Sequence, residues 1–230
     1  MKVLAFLIAV IAIIILFFTS GAWRTVYTSG TWRYKLTLVV DDNGKQIVSS
    51  SVREVHVQDG PKFPEGHAAY KLKGEAVVVD LGEHGVLFSL LNSSTIGYDG
   101  FYIVFSEFPS GFDILSPDAI RYYSKLKAKK EVPFDKLPML VHFRDIKDQK
   151  TVELVDPNDL EKTFGKGVKL VLATIEMTDE PLTKDVVKKY LSWLDKWQNY
   201  GGNIVGRESF DSPPPPTPEE LLLSSDFIQE

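Results

Sequence analysis

The residues best suited to chemistry in this chain are two of its four histidines and the acids that could pair with them. His142 or His84 could act as a general base for hydrolysis, with Asp80 or Asp145 as the carboxylate that orients the imidazole. The sequence contains neither a G-x-S-x-G nucleophile turn nor an H-E-x-x-H metal motif. A catalytic site would therefore have to be assembled by the fold from residues that lie far apart in the chain.

The densest polar cluster that follows an apolar strand is the tetrapeptide His142-Phe143-Arg144-Asp145. At the end of a strand, the guanidinium of Arg144 could bind the carboxylate or phosphate of a ligand. A surface ion pair between Arg144 and Asp145 or Asp148 is the simpler interpretation, because exposed pairs of this kind are common and contribute little. We therefore treat His142, Arg144 and Asp145 as weak candidates for ligand contact, together with His84 and Asp80.

Composition excludes several classes of function. The chain of 230 residues has no cysteine, which removes disulfides, zinc–thiolate sites, iron–sulfur clusters and thiol nucleophiles. The histidines lack the spacing of a known metal site, so we predict neither a metal nor another cofactor. The net charge is −5 with both signs interspersed, whereas a nucleic-acid-binding surface would be basic. We therefore expect no nucleic acid partner.

The first 22 residues are predicted to form a signal anchor or a signal peptide, because Val3 to Phe18 are all apolar and follow a single lysine. This run would form a helix of about 24 Å, and continuation through Trp23 gives about 31 Å, enough to span the hydrocarbon core. The alternative is cleavage after Ala22, where small residues suit a signal peptidase. The first interpretation predicts a single-pass protein that contacts the cell membrane through residues 3–23, with its C-terminal body on the periplasmic side. The second predicts a periplasmic protein.

Residues 23–31 would then form a juxtamembrane link, and residues 32–202 a single α+β domain. Trp32 to Val40 alternate apolar and polar residues, which predicts a half-buried strand, and a turn at residues 41–44 returns the chain into Ile47–Val57. A second hairpin is predicted over Lys71–Leu91, with His84 at its tip. Further strands are predicted at Phe101–Phe105, Met139–Phe143, Thr151–Val155 and Val168–Thr178.

Two or three helices are predicted among these strands. Ser116 and Pro117 are typical of a helix start, and a short helix is expected between Asp156 and Gly165. The longest is predicted over Thr183–Asn199, where apolar residues recur at helical spacing. The fold class is therefore α+β, with a mainly antiparallel sheet built from hairpins, behind an N-terminal hydrophobic helix.

The C-terminal part, residues 203–230, is predicted to be a proline-rich spacer followed by an acidic tail. Pro213–Pro216 would form a stiff polyproline segment. Beyond it, Phe227 and Ile228 lie among acids, and the tail is either a short docking peptide or a frayed, disordered end. The second interpretation is favoured, because chain ends are usually disordered unless other contacts hold them.

Four segments resemble a family of uncharacterised bacterial envelope or exported proteins. They are GEAVVVDLGEHGVLFSLL (residues 74–91), AIRYYSKLK (119–127), the stretch from His142 to Leu170, and ATIEMTDEPLT (173–183). The resemblance covers most of the body and implies a single-pass or exported protein with an α+β domain. Because the family has no assigned activity, it implies no catalytic or binding residue for this chain.

These observations predict a non-catalytic envelope protein whose body binds a peptide, a glycan or another envelope protein. A loop rich in glycine and aromatic residues around Tyr98 could contact such a ligand by stacking, although loops of this composition usually only reverse the chain. The alternative is a hydrolase of envelope material with scattered histidine and carboxylate residues. The absence of local catalytic signatures favours the binding protein over the enzyme.

Overall fold

The computed structural model describes residues 10–16, 28–59, 69–92, 101–114, 116–194 and 224–229. The chain divides into two compact units. The smaller unit contains Met1–Thr31, His56–Lys71 and Ser110–Lys125, and the larger contains Trp32–Val55, Leu72–Pro109 and Leu126–Glu230. The boundaries suggested by the sequence, with one domain over residues 32–202, stay a prediction.

The larger of two sheets has six strands, namely β1 (Thr28–Asp42), β2 (Lys45–Asp59), β3 (Ala69–Glu75), β6 (Lys129–Glu131), β9 (Val168–Thr178) and β10 (Ile228–Gln229). Their order in the sheet is β10-β3-β2-β1-β9-β6. Strand β9 pairs antiparallel with β1 on one side and with β6 on the other, and β10 pairs antiparallel with β3.

Strand β1 confirms the prediction drawn from its alternating sequence. Its five alternate apolar side chains are buried, namely Trp32, Tyr34, Leu36, Leu38 and Val40. Side chains at successive positions of a strand point to opposite faces, so one face of β1 enters the core. The turn into β2 uses Asn43 at φ 52° and Gly44 at φ 88°, the left-handed conformations that a tight hairpin requires.

The second sheet has four antiparallel strands in the order β4-β5-β7-β8. They are β4 (Val77–Asp80), β5 (Val86–Ser89), β7 (Leu140–Phe143) and β8 (Val152–Leu154). A 3-10 turn at Gly82–His84 joins β4 to β5, which confirms a hairpin with His84 at its tip. The predicted hairpin over Lys71–Leu91 was too long, however, because its first strand, β3, belongs to the six-stranded sheet.

Besides short 3-10 turns, the described part of the chain contains five α-helices, and with the two mostly antiparallel sheets they confirm the α+β class. They are α1 (residues 10–16), α2 (Tyr102–Glu107), α3 (Pro117–Tyr123), α4 (Glu161–Phe164) and α5 (Val187–Tyr190). The Ser116 hydroxyl accepts a hydrogen bond from the Ala119 amide at 3.2 Å, so it caps α3 as its sequence predicted. The rest of the predicted N-terminal hydrophobic helix lies outside the described residues.

The membrane prediction is wrong on the part of the chain that the structure describes. Among these residues no helix has both the length and the apolar character needed to cross a membrane. This finding overturns the prediction of a transmembrane, single-pass protein located in the cell membrane.

Helix α2 occupies most of the segment that was predicted to be a strand, Phe101–Phe105. Its β-branched and aromatic residues fit a strand locally, but β propensity depends strongly on context. As a helix the segment buries Ile103, Val104 and Phe105, and the edge of the Phe105 ring packs against Trp32 at a centroid distance of 6.2 Å. Tertiary packing therefore decides the conformation of this segment.

Glu107 ends α2 with its carboxylate almost fully buried. Lys136 Nζ donates a hydrogen bond to Glu107 Oε1 at 2.9 Å, the Ser106 hydroxyl donates to the same oxygen, and Lys130 Nζ lies 3.3 Å from Oε2. Burial alone would raise the pKa of the Glu107 carboxyl, but the hydrogen bonds from Lys136, Ser106 and Lys130 outweigh burial and lower that pKa. This carboxylate therefore holds the end of α2 to the region around β6.

The predicted helix over Thr183–Asn199 is much shorter in the structure. Helix α5 spans only Val187–Tyr190 and ends at Leu191, which has non-helical angles of φ −108° and ψ 66°. Residues 195–199 lie outside the described part. Thr183 is instead fixed to β2, where its amide donates to the Val52 carbonyl and its hydroxyl accepts from the Val52 amide. These bonds hold the start of the segment in an extended conformation.

Candidate functional site

The two candidate histidines both have structural hydrogen bonds. His84 Nδ1 lies 2.7 Å from the Phe164 carbonyl, and His142 Nδ1 lies 3.1 Å from the Val86 carbonyl. Since a carbonyl only accepts, each imidazole donates from Nδ1. The His142 ring is buried and packs edge-on against Phe164 at 4.9 Å, while His84 Nε2 lies 3.6 Å from Asp42 Oδ1.

The other three candidates lie in local turns and surface pairs. Asp80 accepts hydrogen bonds from the Gly82 amide and the Tyr190 hydroxyl. The Asp145 carboxylate accepts from the amide of residue 147, two positions along the chain. Arg144 is exposed, and its Nε is 3.8 Å from a carboxylate oxygen of Glu153, so its surface partner is neither of the two acids suggested by the sequence.

Within the described residues, no hydrogen bond or ion pair joins any two of these five candidates. The same part of the chain also holds no group of three or more His, Asp and Glu side chains that could bind a metal ion. A base and a carboxylate must be within hydrogen-bond reach to act together. The geometry therefore brings none of the predicted pairs together.

A different site lies where residues 224–229, the last described residues, pack within the larger unit. We call these residues the C-terminal segment. Their sequence favoured a frayed tail, but the structure buries Asp226, Phe227 and Ile228. Ile228 and Gln229 form β10, which pairs with Glu75 and Gly74 of β3. The segment is therefore an ordered part of a sheet, because main-chain pairing and apolar burial hold it.

Main-chain hydrogen bonds hold the segment at two further points. The Phe227 carbonyl accepts from the Ala76 amide at 2.8 Å, and the Asp226 carbonyl accepts from the Leu91 amide at 2.7 Å. The Asn92 side-chain amide donates to the Asp226 carboxylate. Ala76 lies between β3 and β4, and Leu91 follows β5, so the segment bonds to chain elements from both sheets.

The Phe227 side chain is the apolar anchor of the segment. It is fully buried, and its ring centroid lies 5.9 Å from that of Phe88 and 5.9 Å from that of Phe143. Phe88 and Phe143 also pack edge-on against each other at 5.8 Å. The three rings belong to a core cluster on one face of the four-stranded sheet, which also contains Val187, Leu191 and Leu194. The C-terminal segment and the region of α5 therefore cover the same face.

A buried carboxylate joins the end of β3, which pairs with β10, to the start of α5. Glu75 accepts hydrogen bonds from three consecutive main-chain amides, those of Asp185 at 2.6 Å, Val186 at 2.9 Å and Val187 at 3.1 Å. These amides precede or begin α5 and have no partner within the helix, so the carboxylate caps it. Glu75 thus ties the start of α5 to the end of β3.

A buried guanidinium holds the main chain at the same end of β3. Arg53 of β2 is fully buried, and it donates from Nε to the Glu75 carbonyl at 3.3 Å and from Nη2 to the Ser89 carbonyl at 2.9 Å. Burial lowers the pKa of Arg53 and raises the pKa of the neighbouring Tyr34 phenol, while the hydrogen bond between them opposes both shifts. Arg53 therefore links β2 to the ends of β3 and β5.

A cavity of about 250 Å³ lies at the end of β10. Part of its lining comes from β3, at Lys73, Gly74 and Glu75, and another part comes from residues Leu182–Asp185, which precede α5. Ile228 and Gln229 of the C-terminal segment complete the lining. The site thus combines a strand edge that pairs through the main chain, an aromatic pocket and a cavity lined by both polar and apolar groups.

Comparison of the sequence with family models and curated proteins, and of the structure with solved structures, finds no match. The resemblance to bacterial envelope proteins stays a prediction. Sequence reasoning did not identify Glu75, Ala76 or Leu91 as site residues, because two of them act only through the main chain. The available signal was the pair Phe227-Ile228 among acids after a proline-rich spacer, which is typical of a docking peptide.

Proposed function

We propose that this protein is a non-catalytic binding module for an extended peptide, and that its own residues 224–229 occupy the site. The observation that carries the proposal is the full burial of Phe227. This side chain fills a pocket formed by Phe88 and Phe143, which precede it in the chain by 139 and 84 residues. An apolar anchor on an added strand is what a bound extended peptide provides.

The contacts of the segment support recognition by strand addition. In this mode an extended peptide adds a strand to an exposed sheet edge, where main-chain bonds supply affinity and side-chain pockets supply specificity. Strand β10 adds to the edge of β3 through Ile228 and Gln229. The pocket of Phe88 and Phe143 supplies the specific contact, because it accepts a large apolar ring.

The hydrolase alternative has less support. His84 and His142 both donate from Nδ1 to main-chain carbonyls, and Asp80 and Asp145 accept from neighbouring turn amides. A catalytic pair needs its base oriented by a third group and aimed at a substrate position. These side chains instead stabilise turns and strand ends.

The test uses a full chain that can be cut after folding. A specific protease sequence replaces residues within Pro213–Thr217, and the folded chain is cut there so that both pieces remain present. A fluorescent peptide of residues 217–230 is then added, and exchange is followed by fluorescence anisotropy. We expect saturable binding of the labelled peptide, which unlabelled peptide displaces.

The control peptide carries Phe227→Ala. Removing a buried phenylalanine costs about 3–5 kcal/mol, so its affinity should fall at least about a hundredfold. Circular dichroism reports whether the cut body remains folded when the peptide is removed. A body that unfolds without the peptide, or a labelled peptide that never exchanges, would show that residues 224–229 are an integral strand and would refute the proposal.

A further inference from the structure

Two lysines line the cavity at the end of β10. Lys73 and Lys184 both line it, and neither ammonium forms an ion pair or hydrogen bond within the described residues. Two acids also line the cavity. The Glu75 carboxylate already accepts three main-chain bonds, which leaves Asp185 as the one acid there with no such bond. The two lysines balance these two acids in formal charge, and their ammonium groups are the cations at the lining that a ligand carboxylate could bind.

The strand register shows which ligand residue would meet this cavity. Ile228 pairs with Glu75 and Gln229 pairs with Gly74, in antiparallel register. In any peptide bound in this register, the next residue lies opposite Lys73, because antiparallel partners advance in opposite directions. That position is the third after the aromatic anchor.

The charge of the chain's own C-terminal sequence is complementary to these lysines. From Pro213 onward the sequence contains four acids, Glu219, Glu220, Asp226 and Glu230, and no lysine or arginine. The third residue after Phe227 is one of them, Glu230. Opposite charges across an interface favour one partner and one register over others.

We propose that the site selects acidic peptides, and that Lys73 and Lys184 recognise a carboxylate side chain three residues after the aromatic anchor. This inference rests on the proposed function. The ligand class is an extended peptide with an aromatic anchor, followed by an acidic residue at the third position. Phe227 sets the affinity, whereas the two lysines set the preference for the acid.

The test uses the cut chain and C-terminally amidated peptides of residues 217–230, so that only the side chain at the third position varies. Replacement of Glu230 by Gln should weaken binding about two- to fivefold, as expected for one partly exposed ion pair. The variants Lys73→Gln and Lys184→Gln should reduce that preference for Glu over Gln. The matched control is Lys189→Gln, because Lys189 is an exposed lysine of α5 that does not line the cavity.

A charge exchange provides the sharpest readout. A body with Lys73→Glu should bind the Glu230→Lys peptide more tightly than the Glu230 peptide, reversing the order seen with the natural body. Equal affinity of the Glu and Gln peptides, or an equal loss of preference in the Lys189→Gln control, would overturn this inference while leaving anchored peptide binding intact. If no peptide binds, both the inference and the proposed function are refuted.

Discussion

Replacement of Phe227 by alanine distinguishes a detachable C-terminal segment from an integral strand. Its matched control is Phe88→Ala, since both rings are fully buried and pack against each other. Phe88 lies within β5, whose neighbours β4 and β7 hold it on both sides. It therefore has no way to leave the core while the body remains folded.

The two substitutions should have different costs although they remove the same side chain. Loss of a buried phenylalanine ring usually lowers the free energy of unfolding by about 3–5 kcal/mol, and we expect this for Phe88→Ala. For Phe227→Ala, release of the segment limits the loss, because a chain with a released segment is still folded. The global loss cannot exceed the free energy of detaching the segment, and we expect it to be at least about 1 kcal/mol smaller than for Phe88→Ala.

The assay combines denaturation with hydrogen exchange. Urea unfolding monitored by circular dichroism gives the global loss for each variant. Exchange at the amides of Ala76 and Leu91 reports detachment directly, because these two amides donate to the Phe227 and Asp226 carbonyls. A weakening of about 3–5 kcal/mol in the attachment would lower their protection by about two to four powers of ten.

The reasoning is refuted by one clear pattern. If Phe227→Ala and Phe88→Ala lower the global free energy of unfolding equally, the segment does not detach. The same conclusion follows if protection falls uniformly through β5 and β7 in the Phe227→Ala protein. Retained protection in those strands, with loss at Ala76 and Leu91, is the expected result.

Three further predictions concern the framework of the fold. Gly85→Ala should lower the free energy of unfolding, measured by urea denaturation, by about 1–3 kcal/mol more than Gly82→Ala. Both glycines have positive φ, but only at Gly85 would the new Cβ lie 2.7 Å from the His142 ring. Equal losses would show that the ring moves aside without cost. Below about pH 4.5 the free energy of unfolding should fall as Glu107 is protonated. The pKa of Glu107 is lower in the folded than in the unfolded chain, so its stabilising effect is complete only above its pKa in the unfolded chain. Glu107→Gln should flatten this part of the pH profile of the melting temperature, and an unchanged slope would contradict the assignment. Glu75→Gln should lower the free energy of unfolding by about 1–3 kcal/mol, because a single amide oxygen then replaces a carboxylate that accepts hydrogen bonds from three main-chain amides. A loss below about 0.5 kcal/mol would contradict the role of Glu75 as a helix cap.

Sequence patterns predicted the local elements more successfully than the way these elements combine. The alternation in β1, the span of β9 at Val168–Thr178 and the Ser116 cap all follow from side-chain period or local hydrogen bonding. The strand predicted at Phe101–Phe105 is a helix, since burial against the rest of the core outweighs its β propensity. Local residue patterns therefore predict the conformation of a segment only where packing against other elements does not override them.

The candidate site depends on long-range contacts to a greater extent than the individual strands and helices do. Residues singled out for their chemistry, such as His84 and His142, are satisfied by main-chain carbonyls that no pattern near them could indicate. The docking edge at Ala76 and Leu91 acts through amides, which every residue except proline possesses. Side-chain type therefore carries no information about these two positions.

By itself, the sequence determined the α+β class, the first hairpin and the exclusion of thiol chemistry, because composition, alternation and turn residues act locally. Only the tertiary structure decided that β3 and β4 belong to different sheets and that Phe227 completes an aromatic cluster with Phe88 and Phe143. The physical reason is that burial depends on which distant segments meet. An apolar pair among acids can be exposed or buried, and the pocket that receives it is built by residues far away in the chain.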